Sequence, residues 1–366
     1  MGTNFTDYFQ RIKDPRLERK KLHLLEDIIG LTVIAVICGA EGWEAIEEFG
    51  ISKKELLEKI FALPNGIPSH DTIERLFQRI KIKEFERSFI DWNNSLVENH
   101  TGKIINIDGK TLRGSSSTSK GKRAIHMVSA WSEANRMVLG QVKTDDKSNE
   151  ITAIPQLLSL LNIEGSIITI DAMGCQKEIA HQIKEQKADY ILAVKNNQPS
   201  LYQEMNSIFH MQKSVDTNKT LEKNHGRIEE RTCSVIQNLK RMDEKENWEG
   251  IQSIIKVEVK KQKGEMLQEE IRFYISSIKQ SAEFFNTAIR QHWSIENGFH
   301  WVLDVAFRED HSQKRHEQAA ANFAIVRRIA LNLLRQDKSF RLGIQNKRLK
   351  AAWDNEYLLK ILNFNA

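Results

Sequence analysis

Two apolar runs of the same pattern set the strongest limit on what this chain can become. Ile104-Ile105-Asn106-Ile107 leads into Asp108, and Ile167-Ile168-Thr169-Ile170 leads into Asp171. Short β-branched runs bounded by breakers such as Gly165 predict strands rather than helices. A third run, "ADYILAVK" from Ala188, has the same character. After Asp108 come two alternating runs, "RAIHMVSAWSE" from Arg123 and "RMVLGQVKT" from Arg136, joined across a tight "EAN" turn as a hairpin. Helical patterns follow at "NEITAIPQLLSLL" and at "GCQKEIAHQIKEQ". In the first of these, Asn149 can cap the helix and Pro155 lies near its first turn. The resulting order is three strands joined antiparallel, then helix, strand, helix, strand. It predicts a mixed sheet in an α/β layer fold, because parallel neighbours need crossover helices.

The flanks differ. The first hundred residues read as helical, with a long apolar pattern from Arg19 to Ala40. Its most apolar part, Ile28 to Ala40, is too short to span a bilayer and predicts a buried helix. Shorter helical pieces follow at Gly42 to Phe49 and Ser52 to Leu63. The breaker cluster "PNGIPSHD" then leads into "TIERLFQRI", which Ser69 or Asp71 can cap. Glu84 to Asn99 is a further amphipathic helix. The pair around the breaker is either helix-turn-helix-like or an ordinary hairpin. Between Asn196 and Arg272 the chain is polar and Lys/Glu-rich, with strand-like runs at "GRIEERTCSVIQ", "IQSIIKVEVKKQ" and "MLQEEIRFYISSI". This predicts an inserted, mostly β subdomain. Helix returns at Glu283 to Phe307, His316 to Arg335 and Ala351 to Asn363. A chain of 366 residues exceeds one ordinary core. Its net charge of +5 fits a nucleic-acid partner without demanding one. Three scattered cysteines argue against a disulfide framework and a structural zinc site. With no leader pattern, the expected compartment is a reducing cytosol.

In α/β sheets the functional crevice lies at strand ends. Asp108 and Asp171 share one edge if their strands are neighbours, although either alone could serve a turn. A third carboxylate lies in "AIRQHWSIENGFHWVLDVAFRED". At about 100° per residue, Ile289, Leu303 and Phe307 fall within roughly 20° of Glu296. Glu296 is therefore expected on the buried face, where a carboxylate needs a cation, a proton or a metal. A salt bridge to an arginine is the ordinary alternative. Three oxygen ligands at a sheet edge suit Mg²⁺ or Mn²⁺, and two such ions serve phosphodiester chemistry. Zinc fits less well. His300 and Asp304, spaced i, i+4, are expected to support or pack rather than to ligate.

The motifs "IDGKTLRGS", "TIDAMGCQKEIA", "DYILAVKNNQPSL", "HGRIEERTCSV", "RFYISSI" and "RQHWSIENGFHWVLDVAFRED" resemble bacterial insertion-sequence transposases of the ISAs type. These H-repeat-associated proteins belong to the DDE superfamily. "IKDPR", "ICGAEGWEAIEEFG" and "GIPSHDTIERLF" resemble the family's associated helical domain, and the likeness runs from about residue 8 to 340. It implies an N-terminal helical domain over 1–100 and an RNase H-like catalytic domain over 101–366, with 197–272 as the β-rich insertion. It also implies Asp108, Asp171 and Glu296 as a triad holding Mg²⁺ or Mn²⁺, two ions in all. The implied partners are double-stranded DNA at the element's terminal inverted repeats and at the target. A dimer is expected in the DNA complex, in the cytoplasm and on the nucleoid when DNA-bound, and no membrane is involved.

The wider group often carries Tyr, Arg and Lys around the glutamate. Here those positions hold Ile289, His292 and Leu303, and Arg290, His292 and His300 are candidates to stand in. Lys110, Arg113, Lys195, Arg227 and Arg231, together with Arg290, His292 and His300, are candidates for DNA contact, with solvated loop or strand cations as the bland alternative. Trp293 and Trp301 could stack on a flipped base, but core packing is the expected role. Two other functions compete. One is a non-catalytic DNA binder left by a decayed element. The other is a phosphatase of the Asp-x-Asp-Gly-Thr type, which "NIDGKTL" imitates. That chemistry needs a nucleophilic carboxylate where this chain has Asn106.

Overall fold

The computed structural model describes residues 5–96, 101–116, 123–144, 150–212, 216–224, 227–263 and 266–363. The Asn149 cap, most of the serine-rich loop after Gly114 and the side chain of Arg227 lie outside the described residues.

Among the described residues nine strands form one sheet. They are β1 (Ile104–Leu112), β2 (Ile125–Ser132), β3 (Met137–Lys143), β4 (Ile167–Ile170), β5 (Asp189–Val194), β6 (Asp216–Asn224), β7 (Arg227–Ile236), β8 (Ser253–Lys263) and β9 (Met266–Ser276). Their spatial order is β3-β2-β1-β4-β5-β9-β8-β7-β6. β1 is antiparallel to β2 and parallel to β4, and β4 is parallel to β5, as a mixed α/β sheet requires. The strand-like runs expected as an insertion extend this same sheet, because β9 pairs antiparallel with β5. They bring one strand the sequence did not suggest. The polar β6, "DTNKTLEKN", has no apolar alternation and is held by its ladder to β7. The helix Pro199–Met211 precedes it.

Alternation along the strands decides which layer each residue faces. Ile105, Ile107, Ile168 and Ile170 pack beneath the sheet with the helices Glu150–Leu160 and Lys177–Glu185. Ile167, Ile191, Val257 and Tyr274 face the other way, against the helix Ala282–His292. Asn106, Asp108, Thr169 and Asp171 belong to this second face by parity.

β1 differs from the sequence expectation. It does not exit at Asp108 but runs four residues further, paired with β2 as far as Leu112 opposite Ile125. Its other neighbour, β4, stops at Ile170, opposite Ile107. Asp108 therefore sits in mid-strand, at the point where the sheet opens on one side.

The N-terminal helices bury an apolar helix, Leu25–Ile37, in which every residue but Glu26 is buried. A helix apolar on all sides must be surrounded. Its neighbours include the helices Phe5–Phe9, Trp43–Ser52 and Ile344–Trp353 and the long helix Glu317–Gln336, which the helices His70–Phe77 and Ile82–Leu96 flank in the same core. Ser69 caps the helix His70–Phe77 by accepting from the Thr72 amide. Asn332 ties the long helix to the sheet, accepting from Val138 N at 2.9 Å and donating to Val138 O at 2.8 Å. Among the described residues no helix is long and apolar enough to cross a membrane.

Candidate active site

The register of β1 and β4 builds half of the site. Asn106 lies opposite Thr169 and Ile107 opposite Ile170, so Asp108 and Asp171 come next to each other on the same face. The side chains beneath them are locked. Asn106, fully buried, donates to the Gln291 carbonyl at 3.1 Å, and Thr169 donates to Asn106 Oδ1 at 2.7 Å. With its hydroxyl proton so used, Thr169 accepts from His292 Nδ1 at 2.8 Å. Burial pushes His292 down to about 4, so the ring is neutral. This chain of bonds staples the helix Ala282–His292 to the sheet floor. It also removes the phosphatase reading, because Asn106 is a structural amide with no access to substrate.

The third carboxylate arrives by a route the helical wheel did not foresee. The region expected as one helix is broken. The helix Ala282–His292 ends, a π-helical turn spans Ile295–His300, and a short helix Trp301–Ala306 follows. The turn is pinned from outside. Ser294 donates to Glu133 Oε2 at 2.8 Å, and the same carboxylate accepts from Trp131 Nε1 at 2.9 Å. Phe299 stacks on Trp131 with centroids 5.5 Å apart and planes 5° from parallel. Arg335 lies 4.5 Å over the same indole and donates to the Gly298 carbonyl. The wider turn rotates Glu296 off the buried stripe. Its side chain is 55% exposed, while Ile289, Leu303 and Phe307 stay buried as the wheel required. Trp293 and Trp301 are likewise exposed rather than packed in the core, and Trp293 has Arg272 stacked on it at 4.6 Å.

The buried carboxylate is Asp108, only 16% exposed. Burial, reinforced by Glu296, pushes its carboxyl up to about 8. His300 is 6% exposed, and its Nδ1 lies 3.7 Å from Asp108 Oδ2 and 3.7 Å from Glu296 Oε2. The nearby imidazole holds Glu296 below the usual carboxylate range. Donor atoms of Asp108, Glu296 and His300 all fall within 4.8 Å of one another, a grouping that fits a divalent ion. Asp171 stands just outside it. Its Oδ1 accepts from the Met173 and Gly174 amides at 3.0 and 3.4 Å, and burial raises its carboxyl, with Glu150 adding to the effect. All three acidic residues line one cleft of about 720 Å³, which Lys195, Arg272 and Trp293 share.

The other candidates scatter. Lys110 turns inward and pairs with Asp304 at 2.7 Å and Asp310 at 3.5 Å, so it braces the site rather than facing open phosphate. Arg113 is 82% exposed and 3.6 Å from Asp310. Arg231 is buried, donating to Asn286 at 2.6 Å, and His292 is buried on Thr169, so neither presents itself to a surface ligand. Arg290 pairs with Glu222 and Glu229. Arg227 opens β7 opposite Asn224 and Lys263.

One carboxylate went unnoticed in the sequence. Glu150 Oε1 lies 2.6 Å from His126 Nε2, under β1 and close enough to raise both Asp108 and Asp171. The signal was Gly109. A Cβ there would stand 2.0 Å from Glu150 Oε1 and 2.4 Å from His126 Nε2. The glycine serves close approach in mid-strand.

Comparison with known proteins finds related chains. The family model described as "Transposase DDE domain" matches residues 99–333, and the DDE_Tnp_1-associated model matches residues 6–93. YncI of Escherichia coli O157:H7 is 46% identical, over 97% of this chain and 93% of its own length. The H repeat-associated YhhI of Escherichia coli strain K12 is 43% identical, over 97% of both chains. Both are provisionally named as transposases. Among solved structures, a chain of a piggyBac transposase synaptic complex with hairpin DNA aligns at 10% identity and a TM-score of 0.46. That alignment covers 98% of this chain and 77% of the other, and the likeness is slight.

Proposed function

The chain belongs to the transposase DDE family, and we propose that it is the DNA transposase of an insertion sequence, with Asp108, Asp171 and Glu296 as its catalytic carboxylates. It binds the element's terminal inverted repeats, cuts a phosphodiester bond with water, and uses the freed 3′-hydroxyl to attack target DNA. The observation that carries this reading is the β1–β4 register, which sets Asp108 beside Asp171 on the face that Glu296 closes. The order β3-β2-β1-β4-β5, with its antiparallel and parallel pairings, supports an RNase H-like core. The chain then divides into an N-terminal helical domain over 1–100 and a catalytic domain over 101–366 with 197–272 inserted.

Asp108, Asp171 and Glu296 would hold Mg²⁺ or Mn²⁺, two ions in all. Once bound, such ions activate a water and neutralise charge on the phosphate. The residues of the chain do the rest. The sheet fixes Asp108 and Asp171, so a scissile phosphate meets a rigid floor. Glu296, exposed on its turn, reaches the phosphate from the opposite wall. Lys195 stands in the same cleft and attracts the backbone, and Arg113 extends the positive surface beyond β1. Two ends cut in concert call for a dimer in the DNA complex.

The test uses duplex DNA carrying the sequences that flank the gene, incubated with the full chain and Mg²⁺. Strand cleavage is expected at the element boundary, and Asp108→Asn should lower it by about a thousandfold. Equal cutting by the variant would overturn the assignment. Specific binding without nicking, at any Mg²⁺ or Mn²⁺ concentration, would make the chain a DNA binder and no enzyme.

A further inference from the structure

We propose that His300 is a direct metal ligand alongside Asp108 and Glu296, making this a mixed carboxylate–imidazole site that favours Mn²⁺ over Mg²⁺. The inference rests on the reading above that the cleft holds a divalent ion, and it adds a ligand that the three-carboxylate scheme lacks.

The geometry around the ring is what points there. His300 is nearly buried, yet its Nδ1 stands 3.7 Å from one oxygen of Asp108 and 3.7 Å from one oxygen of Glu296. Those separations are too long for hydrogen bonds, which run to about 3.2 Å. A histidine placed to pair with one carboxylate would close onto it, as His126 does on Glu150 at 2.6 Å. Equal spacing from two carboxylates instead matches donors arranged around a common centre. Ligands about 2.1 Å from an octahedral ion lie about 3 Å apart when adjacent and about 4 Å apart when opposite. The three donors, all within 4.8 Å of one another, sit close to that range.

The ring is also free to ligate. A ring nitrogen binds metal only when deprotonated, and the bond made by the other nitrogen decides where the proton sits. His300 Nε2 is buried and has no hydrogen-bond partner among the described residues, so no donor forces the proton onto Nδ1. His292 is the contrast. Its Nδ1 carries the proton given to Thr169, and it belongs to the floor. The ring of His300 is held in place by Phe299, whose centroid is 5.0 Å away and which is itself stacked on Trp131. Imidazole is a softer donor than carboxylate and raises affinity for Mn²⁺ and later ions far more than for Mg²⁺.

The experiment is electron spin-echo envelope modulation on the full chain loaded with Mn²⁺ alone, with no DNA present. A directly bound imidazole couples its nitrogen nucleus to the ion. The unaltered chain is expected to show ¹⁴N modulation, and growth on ¹⁵N-histidine should convert it to the ¹⁵N pattern. This arm needs no variant and so does not depend on a variant's folding. His300→Gln should lose the coupling and weaken Mn²⁺ binding about tenfold or more, with a much smaller change for Mg²⁺. His292→Gln should keep the coupling. Mn²⁺ bound in an Asp108-dependent way without nitrogen coupling, or coupling that survives His300→Gln, overturns this inference and leaves the proposed function standing. Failure of the unaltered chain to bind Mn²⁺ at all overturns both.

Discussion

The two walls of the cleft are built on opposite plans. The floor is a sheet edge, where Asp108 and Asp171 are fixed by strand register and the polar groups beneath are bonded to each other. The opposite wall is a π-helical turn held by contacts from remote parts of the chain, namely Glu133, Trp131 and Arg335. The floor is buried and resists ionisation, while the turn is open and its carboxylate ionises readily. A site of this kind needs one wall that does not move and one that substrate can reach. π-turns recur at functional sites because they re-aim side chains at a local energetic cost.

The sharpest way to break this contrast is to remove what holds the turn. Trp131→Ala deletes an indole that is fully buried between Phe299 and Arg335. A loss of about 3 to 5 kcal/mol is expected in urea unfolding. Mn²⁺ affinity should fall with it, because Glu296 and His300 lose their support. If stability falls and Mn²⁺ affinity does not, the turn is not what positions these ligands.

The next effect tests the floor through pH. Asp108 has its folded-state carboxyl raised to about 8, against about 4 when unfolded. Between those values the folded protein holds a proton that the unfolded chain has released. Metal-free stability should therefore fall as pH rises through the window from 4 to 8. Asp108→Asn should flatten that fall, as should saturating Mn²⁺, which replaces the proton. The titration belongs to the Asp108 and Glu296 pair, so Glu296→Gln should move the midpoint down. Thermal melts at half-unit intervals would read all three, and a pH slope unchanged in Asp108→Asn would contradict the burial argument.

The same contrast explains what could be read from the sequence. Ile104 to Ile107 and Ile167 to Ile170 are strands under any packing, since β-branched alternation and short length leave little choice. Their parallel pairing follows from the crossover order, and with it the nearness of Asp108 and Asp171. The apolar neighbours of Glu296 mark it in the sequence but put it on the wrong side of the helix. The helical wheel assumes an unbroken α-helix, and the break is imposed by Glu133 and Trp131 more than 150 positions away. No local window contains that information. β6 was invisible for a related reason, because its residues are polar and only the ladder to β7 makes it a strand. The role of Glu150 was hidden because its only trace in the strand is Gly109, and glycine in a strand has several readings.

Gly109→Ala turns that trace into a measurement. The added methyl meets Glu150 Oε1 and His126 Nε2, both side-chain ends that can yield, so a modest loss of about 1 to 2 kcal/mol is expected. In a Glu150→Ala background only the His126 ring still crowds the methyl, no longer held by its bond to Glu150, and the cost should fall. Such non-additivity is the mark of direct contact. Additive losses would mean that the glycine is there for the strand backbone and not for Glu150.

The smallest effect isolates the point where the helix gives way to the turn. Ser294 donates one hydrogen bond, to Glu133, and that carboxylate keeps its bond from Trp131 when the serine is removed. Ser294→Ala should therefore cost only about 0.5 to 1 kcal/mol. Stability alone would barely register it. If the serine fixes where the α-helix yields, however, its loss frees the boundary to shift by a residue, and Glu296 would then turn toward the buried stripe occupied by Ile289 and Leu303. Mn²⁺ affinity should drop by more than the stability change accounts for, while the bonds of His292 and Asn106 to the floor stay intact. Hydrogen exchange at the amides of 293–300 would follow the turn directly. Faster exchange there, with β1 and β4 unchanged, is expected if the two walls are independent. Faster exchange in both would show that the floor depends on the turn and that the two plans are one.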